Sequence, residues 1–215
     1  IGFGVERMAM ILGGEQDLRA LVYPQFYEEV SLDDEQIGRL LGCAQAPEGA
    51  PLADALADMT VKATAEKDLP GPREVVLYEG EAGGRGVRIT IFNWDEGKPL
   101  LSMAAANEVY VHDANIYGLP QNRTAMGDKF AQVYDEGVAT GLRFIDMIIA
   151  GFAAQVEKAA LEGSGETIEE KWKIAKRPFQ VNPDIPDEVY DYIQRLHRGI
   201  KVGGPLFFGL RAEWT

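Results

Sequence analysis

The tetrapeptide Leu69-Pro70-Gly71-Pro72 separates two kinds of hydrophobic pattern, and that separation limits what the chain can fold into. Two prolines without N–H groups around a glycine stop both helices and sheet ladders. Before the break, apolar residues recur at helical spacing. "SLDDEQIGRLLG" reads as a helix with Ser31 as N-cap, acids in its first turn and Gly42 at its end. "APLADALADMTVKATAEKD" reads as an Ala-rich helix. Upstream, Val5, Met8, Ala9 and Leu12 share a helical face that stops at Gly13-Gly14, and "EQDLRALVYPQ" is a second short helix closed by Pro24. After the break the period becomes two. "REVVLYEGE" and "GVRITIFNW" flank "AGGRG" as a hairpin, and "NEVYVHD" is a third strand. Thr140 is expected to cap a long helix near 139–161, with Leu142, Ile145, Ile149, Phe152, Ala153 and Val156 as its buried stripe. "GSGE" ends it, a helix containing Lys171 and Trp172 follows, and "RPFQVNPDIP" is an irregular loop. "PDEVYDYIQRLHRG" is a last amphipathic helix, with Pro186 near its start and Gly199 at its end, and "PLFFGLRAEW" a closing strand. Strands grouped together with helices on both sides predict an α+β fold, an antiparallel or mixed β-sheet flanked by helices, rather than a βαβ repeat.

With 215 residues, 46% of them hydrophobic, the chain can bury a substantial core. Its most hydrophobic helix carries Arg143, Asp146, Glu157 and Lys158, and no apolar run reaches the roughly 18–20 residues that cross a bilayer. No membrane partner is expected. A lone Cys43 forms no internal disulfide and no secretory leader is visible, so the cytoplasm is the expected compartment. Cys43, His112 and His197 have no partners at ligand spacing, so no metal site is expected among them. The formal charge of −13 opposes nucleic-acid binding only on average. Residues 166–215 hold eight basic and eight acidic side chains, and the excess of acid lies before them. A polyanion would be steered towards this C-terminal stretch.

Gly2-x-Gly4 lacks the third glycine and the following acid of a dinucleotide fingerprint. The run "GFGVERMAMILGGEQDLRALVYPQFY" instead resembles motif 3 of class II aminoacyl-tRNA synthetases, in the form found in the archaeal O-phosphoseryl-tRNA synthetase family. "VVLYEGE", "AANEVYVHDANIYGLP" and "GVATGLRFIDMIIAGFAAQVEKA" resemble the same family's anticodon-binding domain, so the likeness covers nearly the whole chain. It implies that residues 1–30 are the last strand and helix of a class II catalytic domain and that residues 31–215 are a helical linker and the anticodon-binding domain. It also implies a catalytic domain upstream with motifs 1 and 2, and no turnover by this chain alone.

The implied parent is an ATP-dependent ligase that attaches O-phosphoserine to cysteine tRNA, forms homotetramers and uses Mg2+ held mostly by upstream ligands. The resemblance makes Arg7 the motif 3 arginine, contacting ATP and contributing to catalysis, with Gly4 and Glu6 beside it in the nucleotide site. A guanidinium suits that task, being planar, permanently charged and able to pair with phosphate or stack on adenine. Glu79 and Glu81, two apart on a strand, share one side with Gly80 between them. Carboxylates accept from base N–H groups, and the resemblance matches this pair to the readers of a GCA anticodon. Lys173, Lys176 and Arg177, together with Arg198 after the last helix, are expected to grip the RNA backbone. Phe179 offers a stacking face and Asn107 a further RNA contact. Two other readings fit the same residues: a non-catalytic tRNA- or RNA-binding paralogue, and a class II synthetase of pyrrolysyl or phenylalanyl type.

Overall fold

A computed structural model describes residues 31–215. The helices read between residues 5 and 24 lie outside the described residues. Helix α1 (Asp34–Leu40) is capped by Asp33, not Ser31. Asp33 Oδ1 accepts from Gln36 N at 2.7 Å, and Gln36 Oε1 accepts from Asp33 N at 2.9 Å. Only Asp33 has a Gln three residues on, so only it can form this reciprocal box. The short strand β1 (Gly42–Cys43) follows, so Gly42 belongs to a strand rather than a helix end. Helix α2 (Ala50–Ala65) begins with Pro51 in its first turn. Strands β2 (Arg73–Ala82) and β3 (Arg85–Asn93) form the expected hairpin, with Gly83 and Gly84 at φ +55° and +79° in its turn.

Strands β4 (Glu108–His112) and β5 (Asn115–Leu119) form a second hairpin. A 3₁₀ run over Arg123–Phe130 leads into helix α3 (Ala131–Glu136) and strand β6 (Val138–Arg143). Helix α4 (Phe144–Leu161) starts several residues later than its hydrophobic pattern suggested, because residues 138–143 pair with β4. Thr140 is therefore no helix cap: its hydroxyl donates to Val109 O at 2.8 Å and accepts from Leu142 N at 3.2 Å. Strand β7 (Ile168–Ala175) replaces the helix expected around Lys171 and Trp172. Its Ile168, Glu170 and Trp172 turn towards the helices while Glu169 and Lys171 turn outward, so the true period there is two. Strand β8 (Pro183–Asp184), helix α5 (Asp187–Arg195), strand β9 (Ile200–Lys201) and strand β10 (Gly204–Trp214) complete the order.

Among the described residues, eight of the ten strands fall into two four-stranded sheets. The first is antiparallel in the order β2-β3-β10-β7. The second has the order β6-β4-β5-β9, with β9 parallel to β5, and β1 pairs only with β8. Ten residues of α4 are buried, which makes it the helix that both sheets share. At one end, Phe144 lies under Gly118 of β5 and its N–H donates to Asn107 O at 2.9 Å. Further along, Phe152 meets Trp172 edge-on at 6.5 Å, and Trp172 stacks on Phe208 at 5.6 Å. α4 also caps α2, since the Glu157 carboxylate accepts from Glu48 N and Gly49 N at 2.8 and 2.7 Å. Residues 32–215 form one compact unit. Among the described residues no helix is long and apolar enough to cross a membrane.

A methyl group at Gly118 would stand 2.2 Å from Phe144 Cζ. Gly118→Ala should therefore lower stability by about 1–3 kcal/mol in chemical denaturation, the usual range for an overpacked core. Phe144→Leu in the same chain should recover part of that loss, and strictly additive losses would show that the two residues do not compete for one space.

Candidate nucleic-acid interface

Alternation puts Glu74, Val76, Glu79 and Glu81 of β2 on the face of the first sheet away from the helices, beside Arg88, Thr90 and Phe92 of β3. The same face carries Arg211 and Glu213 of β10 and Glu169 and Lys171 of β7. Glu79 and Glu81 thus do share one exposed side. Glu79 Oε1 accepts from Arg88 Nε at 2.5 Å, while Glu81 engages its neighbours through its carbonyl, which accepts from Tyr78 OH at 2.9 Å. With both side chains about half exposed, the Glu79–Arg88 pair is worth at most about 1 kcal/mol and opens readily.

Along the strands from the glutamates, the face forms a cleft of about 410 Å³ lined in part by Phe92, Trp94, Lys171, Arg211, Glu74 and Asn93. Arg211 reaches Glu169 at 2.8 Å and Glu74 at 3.1 Å while its guanidinium lies 4.8 Å from the Phe92 ring centre. Lys171 reaches Glu169 at 2.8 Å and lies 5.5 and 5.7 Å from the Phe92 and Trp94 rings. Hydrogen bonds from Lys171 and then Arg211 hold the Glu169 carboxyl below its ordinary range. The hydrogen bond that the Arg211 guanidinium donates to Glu169 holds that guanidinium above its own ordinary range. Cations beside an aromatic wall in one cleft are what an unpaired base and its phosphate require.

The second sheet has its own aromatic and basic face. Tyr110 and Tyr117 are direct cross-strand partners, each met edge-on by a ring from the following segment, Tyr134 at 5.4 Å and Phe130 at 5.8 Å. Lys201 Nζ lies 4.8 Å from the Tyr117 ring and Lys129 Nζ 5.3 Å from that of Phe130. Burial foremost raises both the Tyr110 and Tyr134 phenols, so these rings stay neutral. Arg198 pairs with Asp113 at 2.6 Å beside this sheet.

The remaining candidates sit elsewhere. Lys173 is exposed on β7, and Lys176 and Arg177 follow it, their backbone N–H groups donating to Gln180 Oε1 at 2.7 and 3.0 Å. Phe179 is 69% exposed at a small cavity it shares with Trp172, Gln155 and Asn182. Asn107 is 7% exposed, with its amide donating to Gly118 O at 3.2 Å, which makes it a brace for the second sheet. Cys43 is a free thiol raised chiefly by burial and then by Asp146 and Asp184, which suits packing rather than nucleophilic attack. Gly4, Glu6 and Arg7 lie outside the described residues. Among the described residues no group of three or more His, Cys, Asp or Glu is placed to hold a metal ion.

Residues 107–142, spanning β4, β5, α3 and most of β6, match a family model described as the O-phosphoseryl-tRNA synthetase C-terminal domain. Across 99% of its length the chain is 36% identical to an O-phosphoserine–tRNA(Cys) ligase of Archaeoglobus fulgidus and 35% identical to one of Methanopyrus kandleri. A ligase of the same name from Methanococcus maripaludis is 31% identical. By sequence, the chain is similar to O-phosphoseryl-tRNA synthetases. It spans about two fifths of the length of these relatives: 39%, 38% and 41% respectively.

The structure brings Glu79, Glu81 and Lys171 of β7 onto one face, but at different ends of it. Arg198 lies instead beside the second sheet, just before β9. Sequence reasoning missed Phe92, Trp94 and Arg211 as a cluster. The available signal was an aromatic at an outward position of "VRITIFNW", in register with Arg88 and Thr90. Glu79→Gln should leave the free energy of unfolding within about 1 kcal/mol of the parent in chemical denaturation, as for other exposed pairs. In an NMR pH titration, the Glu169 carboxyl should protonate below the ordinary range. Its stabilisation is complete above that range and disappears as pH falls through the lowered value.

Proposed function

We propose that the chain is the tRNA-binding part of an ATP-dependent ligase that joins O-phosphoserine to cysteine tRNA. The observation that carries this reading is similarity to O-phosphoserine–tRNA(Cys) ligases along 99% of the chain. In the complete enzyme, Arg7 contacts ATP with Gly4 and Glu6 nearby, Mg2+ accompanies the nucleotide, and the product is phosphoseryl-tRNA. The enzyme works as a homotetramer in the cytoplasm, where tRNA and ATP meet.

Residues 31–215 bind the anticodon arm. Lys171, Lys173, Lys176, Arg177, Arg198 and Arg211 take phosphates, and Trp94 and Phe179 receive unpaired bases. Glu79 and Glu81 accept from the N–H groups of the GCA anticodon. Guanine presents two such donors on its Watson–Crick edge and cytosine its exocyclic amine, so two acids suit the first two bases. Support for this division of labour is geometric: the acids share a side, and the cleft of Phe92, Trp94, Lys171 and Arg211 opens on the same face.

The test is fluorescence anisotropy with a labelled cysteine-tRNA anticodon stem-loop and the 215-residue chain. Lys171→Ala and Arg211→Ala should each weaken binding and flatten the slope of log affinity against log salt by about one. Glu79→Ala with Glu81→Ala should weaken binding of the GCA loop more than of a loop with an altered anticodon. Equal losses for both loops would return the two acids to a solvated strand edge.

A further inference from the structure

We propose that Asp34 is a positioning residue for RNA binding, acting through the β4–β5 turn to place Arg198 beside the second sheet and Lys201 on it. The proposal rests on the tRNA-binding reading above and adds to it a residue that touches no RNA itself.

The turn between β4 and β5 consists of Asp113 and Ala114, both left-handed at φ +49° and +54°. Asp tolerates that region but Ala does not favour it, and two-residue hairpin turns of this hand normally carry glycine at the second position. Something outside the turn must hold it. Asp34, in the first turn of α1, does so with one carboxylate: Oδ2 accepts from Asp113 N at 2.7 Å and Oδ1 from Ala114 N at 2.9 Å. Asp34 has no part in capping its own helix, a task that falls to Asp33 and Gln36. Its side chain is therefore spent on the turn.

From the turn, a short series of contacts leads to the cations. The Asp113 carboxylate pairs with Arg198. Asn115 Nδ2 donates to Asp113 O at 3.0 Å, while Asn115 Oδ1 accepts from Gly199 N at 3.0 Å. Ile116 N donates to Gly199 O at 3.0 Å. β9 is held to β5 by two residue pairs only, Ile116 with Ile200 and Tyr117 with Lys201, so its placement depends heavily on these flanking bonds. Lys201 then lies over Tyr117.

Charge and position make opposite demands here, which allows a decisive test. Asp34→Ala deletes a negative charge near the proposed RNA face, so electrostatics alone would strengthen binding of a polyanion. Positioning requires the reverse. In the stem-loop assay, Asp34→Ala should lower affinity about fivefold, within the range seen for residues that act at a distance through a two-state element. Adding Ala114→Gly should restore affinity to near the parent value, since glycine adopts the left-handed turn unaided. Ala114→Gly alone should bind like the parent. If Asp34→Ala proves unfolded by circular dichroism, Asp34→Asn, which keeps one acceptor oxygen, should bind with intermediate affinity, and parent-like binding by it would overturn the proposal. Unchanged or tighter binding by folded Asp34→Ala, or failure of Ala114→Gly to rescue it, would overturn the positioning role and leave the tRNA reading intact. Absence of stem-loop binding by the parent chain would overturn both.

Discussion

Burial of α4 against both sheets is the constraint on which the rest of the structure depends. Each sheet has one face that must leave water, and one helix with apolar residues around most of its surface serves both. Phe144 needs the missing side chain of Gly118 to approach β5, and Phe152 needs Trp172 to reach the first sheet. Because these contacts lie at different heights of one rigid helix, the inner faces of both sheets are committed to packing. Their outer faces remain for charged and aromatic residues.

Much of this fold was legible along the chain. The Pro-Gly-Pro break, the Gly83-Gly84 hairpin, the α4 stripe from Ile145 onward and the closing strand each follow from local chemistry that the structure leaves in force, whereas Leu142 belongs to β6. The failures have a common cause. β6 is short, contains Gly141 and runs directly into a strongly apolar helix, so the helical period absorbed it. β7 carries Glu-Glu-Lys-Trp-Lys, residues common on helix surfaces, and only pairing with β10 shows that Glu170 and Trp172 face inward while their neighbours do not. The division into two sheets depends on which strands pair, and two residues of parallel β9 carry no local signal at all.

The candidate site follows the same rule. That Glu79 and Glu81 share a side follows from strand alternation, because the register shift in β2 falls before them, between Val76 and Tyr78. That Arg88 would pair with Glu79 required knowledge of the hairpin register. Lys171 and Arg211 are 40 positions apart in sequence and meet over Phe92 only because β7 and β10 are neighbours. The basic residues were visible one by one. Their division between the two sheets, with Arg198 beside the second, was not.

An acidic protein that binds RNA must solve a problem that a basic one does not face. On the first sheet, Lys171 and Arg211 are already matched by Glu169 and Glu74, and Arg88 by Glu79. A phosphate arriving there does not meet a bare cation; it competes with a carboxylate for the same N–H groups, and the displaced acid must find solvent or a donor of its own. Exposed pairs of this kind are weak, so the exchange costs little when the displaced glutamate can accept from a base edge instead. A non-cognate loop that supplies phosphate but no suitably placed N–H leaves that carboxylate facing the RNA without a partner. Under the proposed function, the same acids that lower non-specific attraction to polyanions would penalise the wrong sequence, and net negative charge would become a source of discrimination rather than an obstacle to binding.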